Sequence, residues 1–185
     1  MTEGKNLPLA ELEAGLDMIR QSPKQKGMLA LIVCRPVIGE REVLAEGRLD
    51  RIEGLVGDTW SKRGSSRTPD GTAHPDTQLT LMNARVIGLL AQTPERWPLA
   101  GDQLYVDLDL SLTNMPSGTR LALGSAVIEV TAQPHTGCNK FSARYGLEAL
   151  KFVSSEVGKE LRLRGLNAKV VQAGVIRAGD GVTKL

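Results

Sequence analysis

The chain has 185 residues, of which 41% are hydrophobic and 24% charged, with a formal net charge of +2; this suits one globular domain with a continuous core and excludes wholesale disorder or a fibrous repeat. The charges are of mixed sign, and the only aromatics are Trp60, Trp97, Tyr105, Phe141, Tyr145 and Phe152. The sequence therefore offers neither the concentrated positive field nor the stacking platform that nucleic-acid binders use.

Met1 to Asn6 carries Glu3 and Lys5 with no apolar signal core behind it, and no stretch approaches the roughly 20 apolar residues of a membrane span. No membrane association and a cytoplasmic location are expected. Cys34 and Cys138 lie far apart and form no CxxC pair, which reads as free thiols in a reducing compartment.

In chain order, Leu9, Leu12, Leu16 and Ile19 recur at helical spacing behind Asn6 and Pro8, predicting an amphipathic helix that stops near Ser22-Pro23. Residues 1–25 read as an N-terminal extension of a domain over 26–185, its apolar stripe either docking on that domain or serving a partner. Met28 to Val33 is a continuous apolar run, and Glu42 to Leu49 follows the Gly39 turn, giving an antiparallel pair. Asp50 to Asp76 is rich in Gly, Ser, Pro, Asp and Arg and is too long for a mere connection. Thr77 to Met82 predicts a strand, and Asn83 caps a helix through Leu90.

Further on, Gln103 to Leu110 alternates apolar and polar residues, and Thr119–Leu123 and Ala126–Thr131 flank a turn at Gly124. Gly146 to Leu163 carries Leu147, Leu150, Val153, Val157 and Leu161 at helical spacing, with Gly158 as a break. Asn167 to Gln172 and Gly174 to Val182 close the chain as two strands joined at Gly174. The whole is mainly β, a barrel or a sandwich with helical decoration, between which periodicity does not choose.

The densest chemistry lies in Pro134-His135-Thr136-Gly137-Cys138-Asn139-Lys140, where a strand ends in a loop holding His, Cys and Lys. Cations such as His135 and Lys140 beside Cys138 would favour thiolate, the nucleophilic and metal-ligating form; a Cys after Gly is equally consistent with a small packed residue. Asp58, after Gly57, reads as an acid or base, as an orienter of a basic side chain, or as a turn former. Lys62, Arg63 and Arg67 carry the charge to hold an anionic cofactor tail, and Gly64 to Gly71 is either a solvated excursion or a lid. His74 has no second His nearby, and HExxH, GxGxxG, P-loop and GxSxG patterns are absent. Cys34, within an apolar run, reads as a core thiol.

The strand Glu129-Val130-Thr131, leading through Pro134 to Cys138, Lys140 and Phe141, resembles the cysteine motif of the MOSC family, named for the C-terminal domain of molybdenum cofactor sulfurase. Gly54 to Asp58 resembles that family's "GI-x-GD" element, Gln78 to Leu81 its following strand, and Arg164 to Ala168 with Gly174 to Asp180 its closing "G-x-V-x-x-GD" element. The resemblance runs from about Met28 to Val182. It implies a MOSC-type β-barrel with a few short helices, and Cys138 as a persulfide site or as a ligand to molybdenum cofactor, a soft thiolate suiting either role.

The resemblance further implies catalytic neighbours in His135, Lys140 and Asp58, and cofactor contacts from Lys62, Arg63, Gln78, Asn139, Arg144 and Arg164. Its implied partners are a sulfur donor such as a cysteine desulfurase, or an external electron donor, and the family has links to pyridoxal phosphate proteins. Two positions depart from the pattern: Thr59 to Arg63 stands where many members carry His, and His135 stands where they carry Arg. Three functions follow: a sulfur carrier or molybdenum-cofactor protein, a non-catalytic barrel that binds a small anion or a protein, and a molybdenum-dependent reductase of N-hydroxylated compounds. The last needs an external donor, since the chain has no flavin or iron–sulfur motif.

Overall fold

Lys26–Cys34 forms β1, whose apolar run has a simple cause: the strand is covered on both faces. Leu29, Ile32 and Cys34 point into one core while Leu31 and Val33 meet another. The computed structural model describes residues 6–185; Glu3 and Lys5, and with them most of the segment read above as lacking a signal core, lie outside the described residues.

Ahead of β1 come α1 (Leu9–Ala14) and α2 (Leu16–Arg20). After it follow β2 (Glu42–Leu44), β3 (Glu46–Asp50), β4 (Gly54–Leu55), β5 (Leu79–Asn83), α3 (Ala84–Ala91), β6 (Leu104–Asp107), β7 (Arg120–Leu123) and β8 (Ala126–Val130). The chain closes with α4 (Asn139–Tyr145), α5 (Leu147–Ser154), α6 (Glu156–Glu160), β9 (Leu166–Gln172), β10 (Gly174–Arg177) and β11 (Gly181–Lys184). Short 3-10 turns occupy Thr59–Lys62, Pro75–Thr77 and Pro94–Ala100.

The strand order β11-β7-β8-β9-β5-β6-β1 returns to β11 through the pairing of Lys26 with Thr183, so the sheet closes into a seven-stranded barrel. Closure leaves β2 as an extra strand on β1. All barrel pairings are antiparallel except β5 with β6. Inside, Leu29, Leu81, Val106, Leu121, Ile128, Ala168 and Val182 interlock. Outside, α1 to α5 pack on one flank around Tyr105, Phe141, Tyr145 and Phe152. Strand β10 pairs with β3, and β3 with β4, in a second small sheet.

The sandwich alternative is thus excluded by closure. Several elements differ from their sequence expectation for local reasons. The first helix breaks at Gly15, where Leu89 of α3 approaches so closely that a Cβ would lie 2.5 Å from its Cδ2; Leu12 and Ile19 nonetheless bury in the helical-flank core. The segment expected as one strand over 42–49 divides, because β3 leaves the barrel to pair with β10. Gly158 sits inside α6, and the helix break falls instead at Ser155, whose hydroxyl accepts the Gly158 N–H at 2.9 Å as an N-cap. The closing pair is three strands, β11 being the one that seals the barrel. Among the described residues no helix is long and apolar enough to cross a membrane.

One backbone position tests this packing. Gly165 has φ +107, and a Cβ there would lie 2.1 Å from the Leu81 carbonyl oxygen. Gly165→Ala is expected to cost about 1–2 kcal/mol for the left-handed backbone and a further ~1–3 kcal/mol for overpacking. Gly181→Ala, at a position with open space around it, should stay within about 0.5 kcal/mol; urea midpoints of the two variants check the contrast.

Candidate functional site

Two Gly-Asp pairs build the site. Gly57 (φ +90) and Gly101 (φ +88) adopt left-handed turns that L side chains avoid, and each turn delivers the following aspartate into the interior, where both carboxylates are fully buried. Each grips an arginine.

Asp58 Oδ1 accepts Arg35 Nη2 at 2.8 Å and Oδ2 accepts Arg35 Nε at 2.8 Å, a bidentate pair. Its oxygens also take the backbone N–H groups of Arg35 and Trp60, at 3.0 and 2.9 Å. Burial pushes the Asp58 carboxyl up, but the Arg35 hydrogen bonds and charge outweigh it and hold it below its ordinary value. Asp58, expected among the reacting groups, is therefore an ionised anchor with both oxygens occupied. It orients Arg35 and caps the Thr59–Lys62 turn.

Asp102 joins three distant segments. Its Oδ2 accepts Arg164 Nη1 at 2.7 Å and its Oδ1 meets His135 Nε2 at 2.7 Å. Burial raises this carboxyl, yet Arg164 and His135 bring it down to about 2. Burial and the Arg164 charge push the His135 imidazole down despite the pull of Asp102. The neutral ring consequently donates its Nε2 proton to Asp102, leaving Nδ1 without a protein partner among the described residues. Arg164 also donates to the Ala100 carbonyl and lies over the Phe141 ring, 4.9 Å from its centroid.

Around the first pair lies a cleft of about 280 Å³, lined by Arg35, Trp60, Arg63, Arg67, His135 and Thr136 among others, with no carboxylate on its walls. Arg41 and Arg144 stand at Gly101, whose carbonyl accepts Arg35 Nη1 at 3.0 Å. These cations feel one another: burial and then Arg144 and Arg35 depress Arg41, and burial and then Arg35 depress Arg63. The Arg41 Nε is buried and has no hydrogen-bond partner among the described residues. Arg35 takes Asp58, and Arg41, Arg63 and Arg144 have no carboxylate partner among the described residues, a charge imbalance that an anion would relieve.

Cys138 is exposed and opens α4 as its N-cap, its carbonyl accepting the N–H groups of Phe141 and Ser142. It follows Thr136, a cleft residue, by two positions. Asn139 and Lys140 are exposed in the first turn of α4. His135 is turned to Asp102 rather than to the thiol. Lys62 is exposed at the end of its 3-10 turn. Arg144 donates to the Leu99 carbonyl at 2.6 Å. Gln78 is a structural tie, its Nε2 bonded to the Arg51 carbonyl and its Oε1 to the Val170 N–H; both ends of the amide are used, which takes it out of the cofactor contacts expected for it. The buried Cys34 belongs to the barrel core, with burial pushing its thiol up.

Sequence reasoning did not single out Arg35, Arg41 or Asp102. The one signal was repetition: Gly101-Asp102 repeats the Gly57-Asp58 dipeptide, although Gly179-Asp180, outside the site, repeats it as well.

The Asp102 cluster makes a stability prediction. Asp102→Asn leaves Arg164 charged and buried without a counterion and should cost about 3–5 kcal/mol, whereas Cys138→Ser, at an exposed position, should stay within about 0.5 kcal/mol. His135 and Asp102 both have folded values below their unfolded ones, so the unfolded chain takes up more protons on acidification and stability falls with pH. The His135 share is lost as pH drops below its ordinary 6.5, and the Asp102 share between 3.8 and about 2. Urea midpoints against pH should show the upper loss in the wild type and its removal in His135→Gln.

A family model described as "MOSC domain" matches residues 72–183. No curated protein matches the chain. Among solved structures, the YuaD protein of Bacillus subtilis aligns with a TM-score of 0.63 at 16% identity, over 85% of this chain and 94% of its own. YiiM from Escherichia coli aligns at 0.54 and 20% identity, over 85% and 69%. YiiM from Geobacillus stearothermophilus aligns at 0.55 and 15% identity, over 86% and 75%. At these identities the structures share the fold, while the family model spans more than half of the chain, including Cys138 and the Asp102 cluster: the chain belongs to the MOSC domain family.

Proposed function

We propose that this MOSC-domain protein binds molybdenum cofactor, with Cys138 as the thiolate ligand to the metal and the arginine cleft as the seat of the cofactor's anionic part. The observation that carries this reading is the charge of Arg41, Arg63 and Arg144, which no carboxylate pairs among the described residues, beside the loop that ends in an exposed thiol.

The donor set fits. Among the described residues no group of three or more His, Cys, Asp or Glu side chains is placed to hold a metal ion, and a metal that arrives chelated by its own organic dithiolene asks the protein for little more than one soft sulfur. Arginine forks match phosphate oxygens in two-point contacts, and Arg63 and Arg67 have no carboxylate partner to give up among the described residues. When bound, the cofactor would supply a two-electron redox centre. The protein's part is to hold Arg35 through Asp58, to hold the His135 loop through Asp102, and to present Cys138 at the end of that loop.

The exposure of Cys138, which lines neither of the cavities flanking His135, favours a second reading as a sulfur carrier. There the thiolate attacks the outer sulfur of a donor persulfide, a new S–S bond forms, and the donor's thiolate leaves. A cysteine desulfurase would be a donor of that chemistry.

Metal analysis and cyanolysable-sulfur assay of protein from a molybdate-replete host decide between the readings. Near-stoichiometric molybdenum in the wild type is expected, with at least a tenfold loss in Cys138→Ser and a smaller loss in an Arg63→Gln/Arg67→Gln double variant. Labile sulfur without molybdenum, lost in Cys138→Ser, would replace the cofactor reading by the carrier reading. Neither species above the level of Cys138→Ser would leave a barrel without this chemistry and contradict both.

A further inference from the structure

On the other side of His135 lies a second cavity of about 370 Å³, which shares Pro134, His135 and Thr136 with the arginine cleft. Cavities of this size hold small organic ligands. Its character differs from the cleft: Leu112, Pro134, Val153 and Leu166 give it a mainly apolar lining, and no carboxylate faces it.

Three cations reach it, and their charges are not equally available. Arg164 is neutralised by Asp102 at 2.7 Å, and Lys159 pairs with Glu156 at 3.0 Å. Arg162 has no carboxylate partner among the described residues; its Nη1 donates only to the Met115 carbonyl. The residue is half-buried and holds a left-handed backbone with φ +47, fixed by the hydrogen bond from Gly165 N to its carbonyl at 2.7 Å. A non-glycine residue in that conformation carries strain of a kind that persists where the surroundings over-determine it. Here the strained turn places the one unspent guanidinium on the wall of an apolar cavity.

We propose that this cavity is a binding site for an amphipathic organic monoanion, its apolar body against Leu112, Val153 and Leu166 and its carboxylate paired with Arg162. The site stands on its own lining and does not require molybdenum or Cys138. A charged hydrogen-bonded contact in a partly dry pocket is the ordinary means by which such ligands gain orientation.

The test is calorimetric titration of the full chain with 2-naphthoate and with its uncharged isostere 2-naphthamide. Saturable binding of naphthoate is expected, with naphthamide and Arg162→Met each weaker by at least about tenfold, the effect of one lost charge-assisted contact. Lys159→Met should change affinity by less than about twofold, since its ammonium is exposed and well solvated. Ala132 is exposed at the cavity wall, so Ala132→Trp fills the space without disturbing the core and should abolish binding even if Arg162→Met folds poorly. Absence of saturable binding to the wild type, equal binding of the amide, or full binding by Ala132→Trp would each overturn the assignment.

Discussion

One buried carboxylate organises the functional end of this barrel. Asp102 receives Arg164 from the turn before β9 and His135 from the loop after β8, and so ties together chain segments 33 and 62 residues away. Removing an ion from water into a protein interior is costly, and the attraction between partners repays it only when nearly every lone pair and proton is satisfied. That condition makes the arrangement close to all-or-none, and its consequence is positional: the Pro134–Thr136 segment becomes a fixed wall with a cleft on one side and a cavity on the other.

The two sides of the wall have different chemistry because of how charge is paired. Toward Arg35 the arginines outnumber the carboxylates, so the cleft has an unspent positive field suited to a multiply charged group. Toward Arg162 the lining is aliphatic with a single unpaired guanidinium, suited to a ligand with one charge and an apolar body. Cys138, two residues past the wall, is left at the surface. A thiol in that place can meet a metal or a donor sulfur without unfolding its surroundings, which a core position such as that of Cys34 would not permit.

Much of the barrel was legible in the sequence, because strands covered on one or both faces write their burial into hydrophobic runs and alternation, as in β1, β7 and β8. What the pattern could not express was partnership. Nothing in Glu42 to Leu49 reveals that its second half joins β10, 125 residues later at the Leu49–Gly174 pairing. Helix α4, with the mixed sequence NKFSARY, shows no clean periodicity over seven residues, and its existence depends on burying Phe141 and Tyr145 against the helical flank. The site was half visible. Cys138, His135, Asp58 and Arg63 stood out by residue type and motif resemblance, whereas Asp102 and Arg35 acquire meaning only through long-range pairing. The same pairing reassigns His135 to the support of a wall and Asp58 to the anchoring of Arg35.

The most direct measurement of that support is the protonation state of His135, read from its imidazole nitrogens by 15N NMR at pH 7. A neutral ring with the proton on Nε2, where Asp102 Oδ1 receives it, is expected. A neutral ring with its proton on Nδ1 would leave nothing to donate to Asp102 and would contradict the clamp, and with it the division of the site into two chemically distinct pockets.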